Sequence, residues 1–342
     1  MSQSLTYPAG GVVALAGGVG AGKFLRGLRR ATQPADTGQN TGASGGDAPR
    51  LVIVNTGDDI EMHGLRICPD LDSVLYWLTG EADRERGWGR QGESFAVRDA
   101  LQTSDSTYAL DARWFNLGDR DIASHLIRSA ALKDGRTLTE ATRELSERTF
   151  GLLTPLAPMS DDWVTTRLDV RTDEGATLDL HFQEYWVGRR AADTVLAIRY
   201  EGASEASPPP GVLDALRSAS AIIVCPSNPV ASIWPILAVP GYREVLAARR
   251  DVVVGISPIV GGAPLRGMAD KLMPAVGLEV SALGAASAYA GLIGSWVIDH
   301  ADRALAPEIE SALGLRVGIT DTIMANDTKA AELAEFTLDM VR

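Results

Sequence analysis

The aspartates of "NTGDDIEMHGLRICPDLDSV" form the densest chemical signal in the chain. Asp58 and Asp59 follow an apolar run directly, and Asp70 and Asp72 follow within fifteen residues. Carboxylates gathered in this way suit a hard divalent cation, which takes one or two of them together with phosphate oxygens and water. A carboxylate left free could accept the proton of an attacking hydroxyl. Helix capping by Asp70 or Asp72 is the competing structural use. A second signal lies upstream in "ALAGGVGAGKFLRGL". From Gly17 it spells G-x-x-x-x-G-K, yet Phe24 stands where a P-loop carries its magnesium-ligating Ser or Thr. From Gly18 it spells G-x-G-x-G, but Lys23 replaces the last Gly of the dinucleotide fingerprint. Gly17, Gly18 and Gly20 still allow backbone N–H groups to approach a phosphate at a helix N-terminus, with Lys23 beside the anion. The expected division of labour is a glycine loop for phosphate and an aspartate loop for metal, which points to metal-assisted phosphoryl transfer.

Weaker signals follow. "WFNLGDRDIASHL" places Asp119, Arg120 and Asp121 just before a helical pattern, and the fork of Arg120 suits a phosphate or carboxylate. His125 falls inside that pattern. The four histidines show no metal-ligand spacing, so zinc is not expected. Asp161 and Asp162 of "MSDDW" are further acidic candidates. Tryptophans in "RERGWGRQGESF" and "DARWF" can stack on a flat ring, although core packing is the more frequent use. No Cys/His pairing suggests acyl transfer.

Strands and helices must bring these residues together. "GVVALAGG" then "KFLRGLRRA" reads as strand, loop, helix, and "LVIVNTGDD" as a second buried strand followed by a helix near Leu71–Leu78. Two adjacent units of this kind predict an α/β fold with a Rossmann-like parallel sheet. Further strands end at "CPSNP", "SPIVGG" and "TDT". Ligands of open parallel sheets bind beyond the carboxyl ends of the strands, and five small or polar strand ends there predict one site. "WVTTRLDVRT" and "ATLDLHFQEYWV", separated by "DEG", predict a β-hairpin. The expected division is a core over 8–79 and 190–342, with a helical and hairpin insert over 80–189. "TQPADTGQNTGASGGDAPR", residues 32–50, reads as a mobile surface loop.

Bulk composition sets limits. The chain has 342 residues, 45% of them hydrophobic, a mean hydropathy of +0.02 and a net charge of −12. That supports a sizeable core and argues against general nucleic-acid binding. Two isolated cysteines, Cys68 and Cys225, suit a reducing cytoplasm and read as buried thiols. A signal peptide and a membrane span are not expected.

Taken in order, "GGVGAGKFL", "NTGDDIEMHGLRICPDLDSVLY", "WFNLGDRDIASHLIR", "MSDDWVTTRL", "FQEYWV", "CPSNPVASIWPIL", "SPIVGGAPLRGMADKLM" and "ITDTIM" resemble the CofD/FbiA family over nearly the whole chain. These are the 2-phospho-L-lactate transferases of coenzyme F420 biosynthesis. The resemblance implies attack by the ribityl hydroxyl of the deazaflavin Fo on a guanosine diphosphate conjugate of lactate (LPPG) or enolpyruvate (EPPG), with release of GMP. It also implies Mg2+, a Rossmann-like core and a homodimer. By resemblance, Asp58, Asp59 and Asp72 are the catalytic acids, with Asp58 and Asp72 facing the metal and Asp70 a neighbour. Asn55, Thr56 and His63 join the substrate contacts, and Asp119 and Arg120 lie near the deazaflavin. Ser227, Asn228, Ser257, Gly261 and Gly262 cradle the guanosine diphosphate part. Lys23 and the "NTGDD" form depart from archaeal members, which leaves the donor's three-carbon group open. The alternative is a YvcK-like nucleotide-sugar-binding regulator, although such proteins carry a Gly/Ser-rich run where "IEMHGLRICPD" stands here. A plain NAD-dependent dehydrogenase is disfavoured by Lys23.

Overall fold

Seven short apolar segments pair side by side, all parallel. Two of them are β1 (Val12–Ala16), buried at every position, and β2 (Pro49–Val54). Unbroken Val, Ile, Leu and Ala is what a strand covered on both faces needs. In the computed structural model, which describes residues 7, 10–32, 49–104 and 114–341, the sheet runs in the order Arg316–Thr320, Ser295–Asp299, Val253–Ile256, Ala221–Val224, β1, β2, Leu156–Pro158. Every neighbouring pair is parallel. The Rossmann-like α/β reading therefore holds. Residues 33–48 of the expected surface loop lie outside the described residues.

From β1 the chain builds outward through β2, and its later half starts again on the other side of β1. The strand order thus reverses between β1 and Ala221–Val224. At such a reversal the connections leave in opposite directions and open a crevice at the carboxyl ends of the strands.

Helix α1 (Gly18–Ala31) buries Ala21, Phe24, Leu25 and Leu28, spaced three and four apart, against Val12, Ala14 and α2 (Pro69–Thr79). Phe24 is fully buried. The position that a P-loop gives to a hydroxyl faces the core here, and burying its ring contributes roughly 1.5–3 kcal/mol. Gly80, with φ 80°, ends α2 in the left-handed conformation.

The expected hairpin forms, Thr165–Arg171 against Thr177–His181, and Thr194–Glu201 adds a third antiparallel strand. Leu168, Val170 and Leu180 point into the same core as Val13, Leu15 and Ile53. The boundaries expected at 80 and 189 move accordingly. Leu156–Pro158 is an edge strand of the central sheet, and Thr194–Glu201 belongs to the antiparallel one. A three-residue strand is too short to show a period, and "TVLAIRY" is apolar enough to read as a central strand. Among the described residues no helix is long and apolar enough to cross a membrane.

Candidate active site

The glycine loop and the "CPSNP" loop meet at the strand reversal. The Ser227 hydroxyl donates to the carbonyl of Gly17 at 2.8 Å. Gly18 takes φ 68°, and a Cβ on Gly17 would lie 2.5 Å from an Asp70 carboxylate oxygen and from Ser232 Cβ. A Cβ on Gly20 would fall on the carbonyl oxygen of Pro226. That neighbour is backbone and cannot swing away. Gly20→Ala is therefore expected to destabilise the protein by roughly 1–3 kcal/mol through overpacking, read as a lower urea midpoint. An unchanged midpoint would mean that the two loops are not in contact. Asn228 is committed locally, its side-chain oxygen accepting from the amides of Val230 and Ala231.

Asn55, at the end of β2, organises the acids. Its side-chain amide donates to Asp58 Oδ1 at 2.8 Å, to Asp70 Oδ2 at 2.9 Å and to the carbonyl of Ala231 at 3.2 Å. Its oxygen accepts from the amide of Gly57. The other oxygen of Asp58 accepts from Gln183 Nε2 at 2.9 Å. Asp70 also accepts from the Gly18 amide and the Ser232 hydroxyl. All partners of this pair are neutral. Burial raises both carboxyls, and their negative neighbours, Asp70 and Asp59 for Asp58 and Asp59 for Asp70, raise them further. Asp70 is pushed up to about 7.

Asp59 is held differently. Arg66 donates to its Oδ2 through Nε at 3.0 Å and Nη2 at 2.8 Å, and Cys68 Sγ donates to the same oxygen at 2.9 Å. Arg66 in turn lies 3.7 Å below the ring centre of Trp163. Asp59 Oδ1 is buried without a partner. Burial raises this carboxyl against the pull of Arg66.

A raised carboxyl fixes the sign of a pH effect. Native Asp70 holds its proton up to about pH 7, whereas an unfolded aspartate loses it near ~3.9. Between those values the native state binds more protons, so stability falls as pH rises through that window and stays low above it. The metal-free protein is expected to melt several degrees lower at pH 8 than at pH 5. A melting temperature that rises over this interval would show that these acids are not the dominant titrating groups.

Asp72, expected beside Asp58 at the metal, is placed elsewhere. It is one helical step pair beyond Asp70 on α2 and binds Arg128 through both oxygens, one of them at 3.0 Å to Nη1 and the other to Nη2. Both side chains are buried. Burial opposes the charge of Arg128, and Asp72 overrides it and raises its pKa. His125 stands 3.5 Å from Asp72 and 3.6 Å from Asp121, and Asp121 accepts from the Tyr76 hydroxyl at 2.6 Å. Asp72, Asp121 and His125 lie close enough together to hold an ion, but the guanidinium of Arg128 already supplies the positive charge. The acid pair that the fold makes is Asp58 with Asp70.

Asp119 accepts from the Ser94 hydroxyl and from the amides of Ala96 and Val97 at the start of the helix Ala96–Gln102. Arg120 donates to the Gln91 carbonyl and pairs with Glu81. Both side chains tie down the segment over 81–97. Asp161 and Asp162 accept from the amides of Thr139 and Ser207. Ser257 closes a local turn with Ile259, and the amide of Gly261 donates to Asp302. Gly262 is exposed with φ 81°, and the Thr56 hydroxyl is buried without a partner. His63, with φ 56°, and Gly64, with φ 70°, form the tip of the hairpin Ile60–Met62/Leu65–Ile67 that follows Asp59. His63 lines an apolar cavity of about 220 Å³ with Leu65, Val97, Phe115, Leu117 and Ile122.

Gln183, Arg66 and Arg128 carry much of the site's electrostatics, and the sequence alone did not single them out. Each lies in a stretch that carries the family resemblance, "FQEYWV", "NTGDDIEMHGLRICPDLDSVLY" and "WFNLGDRDIASHLIR", which was the available signal.

A doubly wound parallel sheet with glycine and aspartate loops at its strand reversal defines an α/β protein with buried acids beside a glycine loop. Residues 12–322 match the family described as 2-phospho-L-lactate transferase CofD. The chain is 44% identical over 330 residues to a phosphoenolpyruvate transferase of Streptomyces griseus, covering 96% of this chain and 98% of that one. It is 39% identical over 324 residues to a 2-phospho-L-lactate transferase of Methanosarcina mazei, covering 95% and 98%. A member of the upf0052 family from Bacillus halodurans shares the fold, with a TM-score of 0.58 at 14% identity over 96% of this chain and 99% of that one. The chain belongs to the CofD family of transferases.

Proposed function

We propose that this protein transfers a phosphoenolpyruvyl group from a guanosine diphosphate conjugate to the ribityl hydroxyl of the deazaflavin Fo, releasing GMP, with magnesium as its cofactor. The phospholactyl group is the other donor to be compared. Seven relatives at 38–45% identity bear the name phosphoenolpyruvate transferase, from Streptomyces, Kitasatospora, Thermobifida, Nocardia and Mycolicibacterium, which favours the enolpyruvyl donor. The observation that carries the reading is the buried pair Asp58–Asp70 beside the glycine loop, joined by one neutral amide and with no cationic partner among the described residues.

That donor set fits a hard divalent cation: two buried carboxylates, strained by their own repulsion. Asp58 and Asp70 would hold the ion, and when bound it supplies positive charge to the transferring phosphoryl group. Asn55 and Gln183 fix the rotamers of the pair. The backbone amides of the glycine loop other than that of Gly18, which Asp70 takes, would receive the diphosphate. Asp59 Oδ1 is the acceptor available for the hydroxyl proton, while Arg66 and Cys68 hold its other oxygen in place. The apolar cavity beside His63 suits the flat ring of Fo, one short hairpin away from Asp59.

The deciding experiment incubates the protein with Fo, magnesium and each guanosine conjugate, with mass spectrometry of the products. The expected products are GMP and an enolpyruvyl phosphodiester of the deazaflavin. Neither product with either donor would end this reading.

A further inference from the structure

The strand Thr177–His181 ends on a half-buried histidine, and helical turns start at the next residue. The first amides of such a turn have no partner inside it. The His181 ring takes one of them: Nδ1 lies 3.0 Å from the amide nitrogen of Gln183, which donates to it. On the other side of the ring, Nε2 lies 3.0 Å from the carbonyl oxygen of Asp59. A main-chain amide can only donate and a main-chain carbonyl can only accept. The ring is therefore neutral, with its proton on Nε2 and its lone pair on Nδ1. A second proton would face the N–H of Gln183. Burial holds the imidazole below its ordinary pKa, the hydrogen bond to Asp59 pulls it back up, and the charge of Arg167 pushes it down. Arg167 stands opposite on the neighbouring strand and is itself paired with Asp179 and Glu201.

These contacts close a circuit. Gln183 is buried, and its side-chain Nε2 donates to Asp58 Oδ2 at 2.9 Å. The circuit runs from the main chain of Asp59 through the ring to the main chain of Gln183. It returns through the side chain of Gln183 to the carboxylate of Asp58. Asp58 and Asp59 are consecutive, so one ring governs the backbone of the second acid and, through Gln183, the side chain of the first. Neither acid can turn without breaking a hydrogen bond of the loop.

We infer that His181 is a positioning residue for the transfer: as the Nε2–H tautomer it fixes the turn that carries Asp58 and Asp59 against the antiparallel strands. It touches no reacting atom. The roles of the two acids rest on the proposed function, whereas the linkage itself does not.

The test uses the full chain as parent, His181→Phe and His181→Gln, each first shown by its melting curve to be folded. Nitrogen NMR of the ligand-free parent near neutral pH should report the neutral ring with its proton on Nε2. An imidazolium or the Nδ1–H tautomer would overturn the linkage. Phe removes both hydrogen bonds. Gln keeps a donor that reaches the place of Nε2 and leaves the amide of Gln183 unmet. The side-chain amide protons of Gln183 should therefore exchange with solvent at least ~10-fold faster in both variants, since local opening becomes easier. In product assays kcat should fall ~10²-fold in His181→Phe, the scale of a small misplacement remote from the chemistry. The KM for Fo should stay within about threefold of the parent's, and His181→Gln should regain roughly tenfold of the lost kcat. Unchanged exchange at Gln183 would overturn the linkage. A kcat of His181→Phe within about threefold of the parent's, or a His181→Gln no faster than His181→Phe, would overturn the positioning role. Where His181→Phe does not fold, His181→Gln carries the test, and exchange and kcat both equal to the parent's would overturn it. A parent that forms no deazaflavin product, while exchange at Gln183 still responds to residue 181, would defeat the proposed reaction and leave the linkage standing.

Discussion

Asp70→Asn is expected to stabilise the metal-free protein at pH 8 and to remove magnesium-dependent turnover. Both effects have one cause. Asp70 and Asp58 are buried side by side on the same Asn55 amide, and burial and neighbouring acids oppose their ionisation. An asparagine keeps an oxygen for the donors on Asn55, Gly18 and Ser232 but removes one negative charge. The repulsion disappears, and so does half of the pair proposed for the cation. Turnover should fall by at least ~10³-fold, the scale of losing a charge-stabilising group at a reacting centre, ~4 kcal/mol. Magnesium should raise the melting temperature of the parent at pH 8, since a ligand bound only by the native state stabilises it, and should leave that of the variant unchanged. Calorimetric scans with and without magnesium, beside product assays, read both effects. Turnover within tenfold of the parent would remove Asp70 from the metal site.

Arg128→Met should cost much more in stability. Its guanidinium binds both oxygens of Asp72 with both side chains buried. Removing one partner of a buried pair leaves the other charge uncompensated, at about 3–5 kcal/mol. Asp72→Asn is expected to destabilise in the same direction, and the double variant should lose less than the sum of the singles, with a coupling of ~0.5–3 kcal/mol. Urea unfolding of the four proteins closes the cycle. Additive losses would mean that the pair does not act as a unit, and would return Asp72 to consideration as a metal ligand.

Much of the fold could be read from the residues. The five polar strand ends all lie on one edge of the sheet, because unbroken apolar runs and glycine or proline punctuation mark parallel strands plainly. The hairpin announced itself by alternation around "DEG". The partnership of the acids was not legible. Asp70 and Asp72 are two positions apart at a helix start, and helical geometry sends them to different sides: Asp70 toward Asn55 and the glycine loop, Asp72 toward Arg128. Which of the two meets Asp58 depends on tertiary contacts with helices and loops far away in the chain. The same applies to Asp119 and Arg120, whose charges suggested a ligand and whose side chains hold a neighbouring segment. Spacing shows that acids are near one another; it does not say which cation each one has already found.

Gln183 reaches Asp58 and Trp163 reaches Arg66 from positions just outside the antiparallel strands, whose apolar face shares a core with β1 and β2. That sheet is consequently no detachable cassette. Replacing it with the corresponding piece of a relative, to alter acceptor preference, would also reset the orientation of Asp58 and the anchoring of Arg66. Chimeras in this family should preserve those two bridging residues, whichever parent supplies the rest.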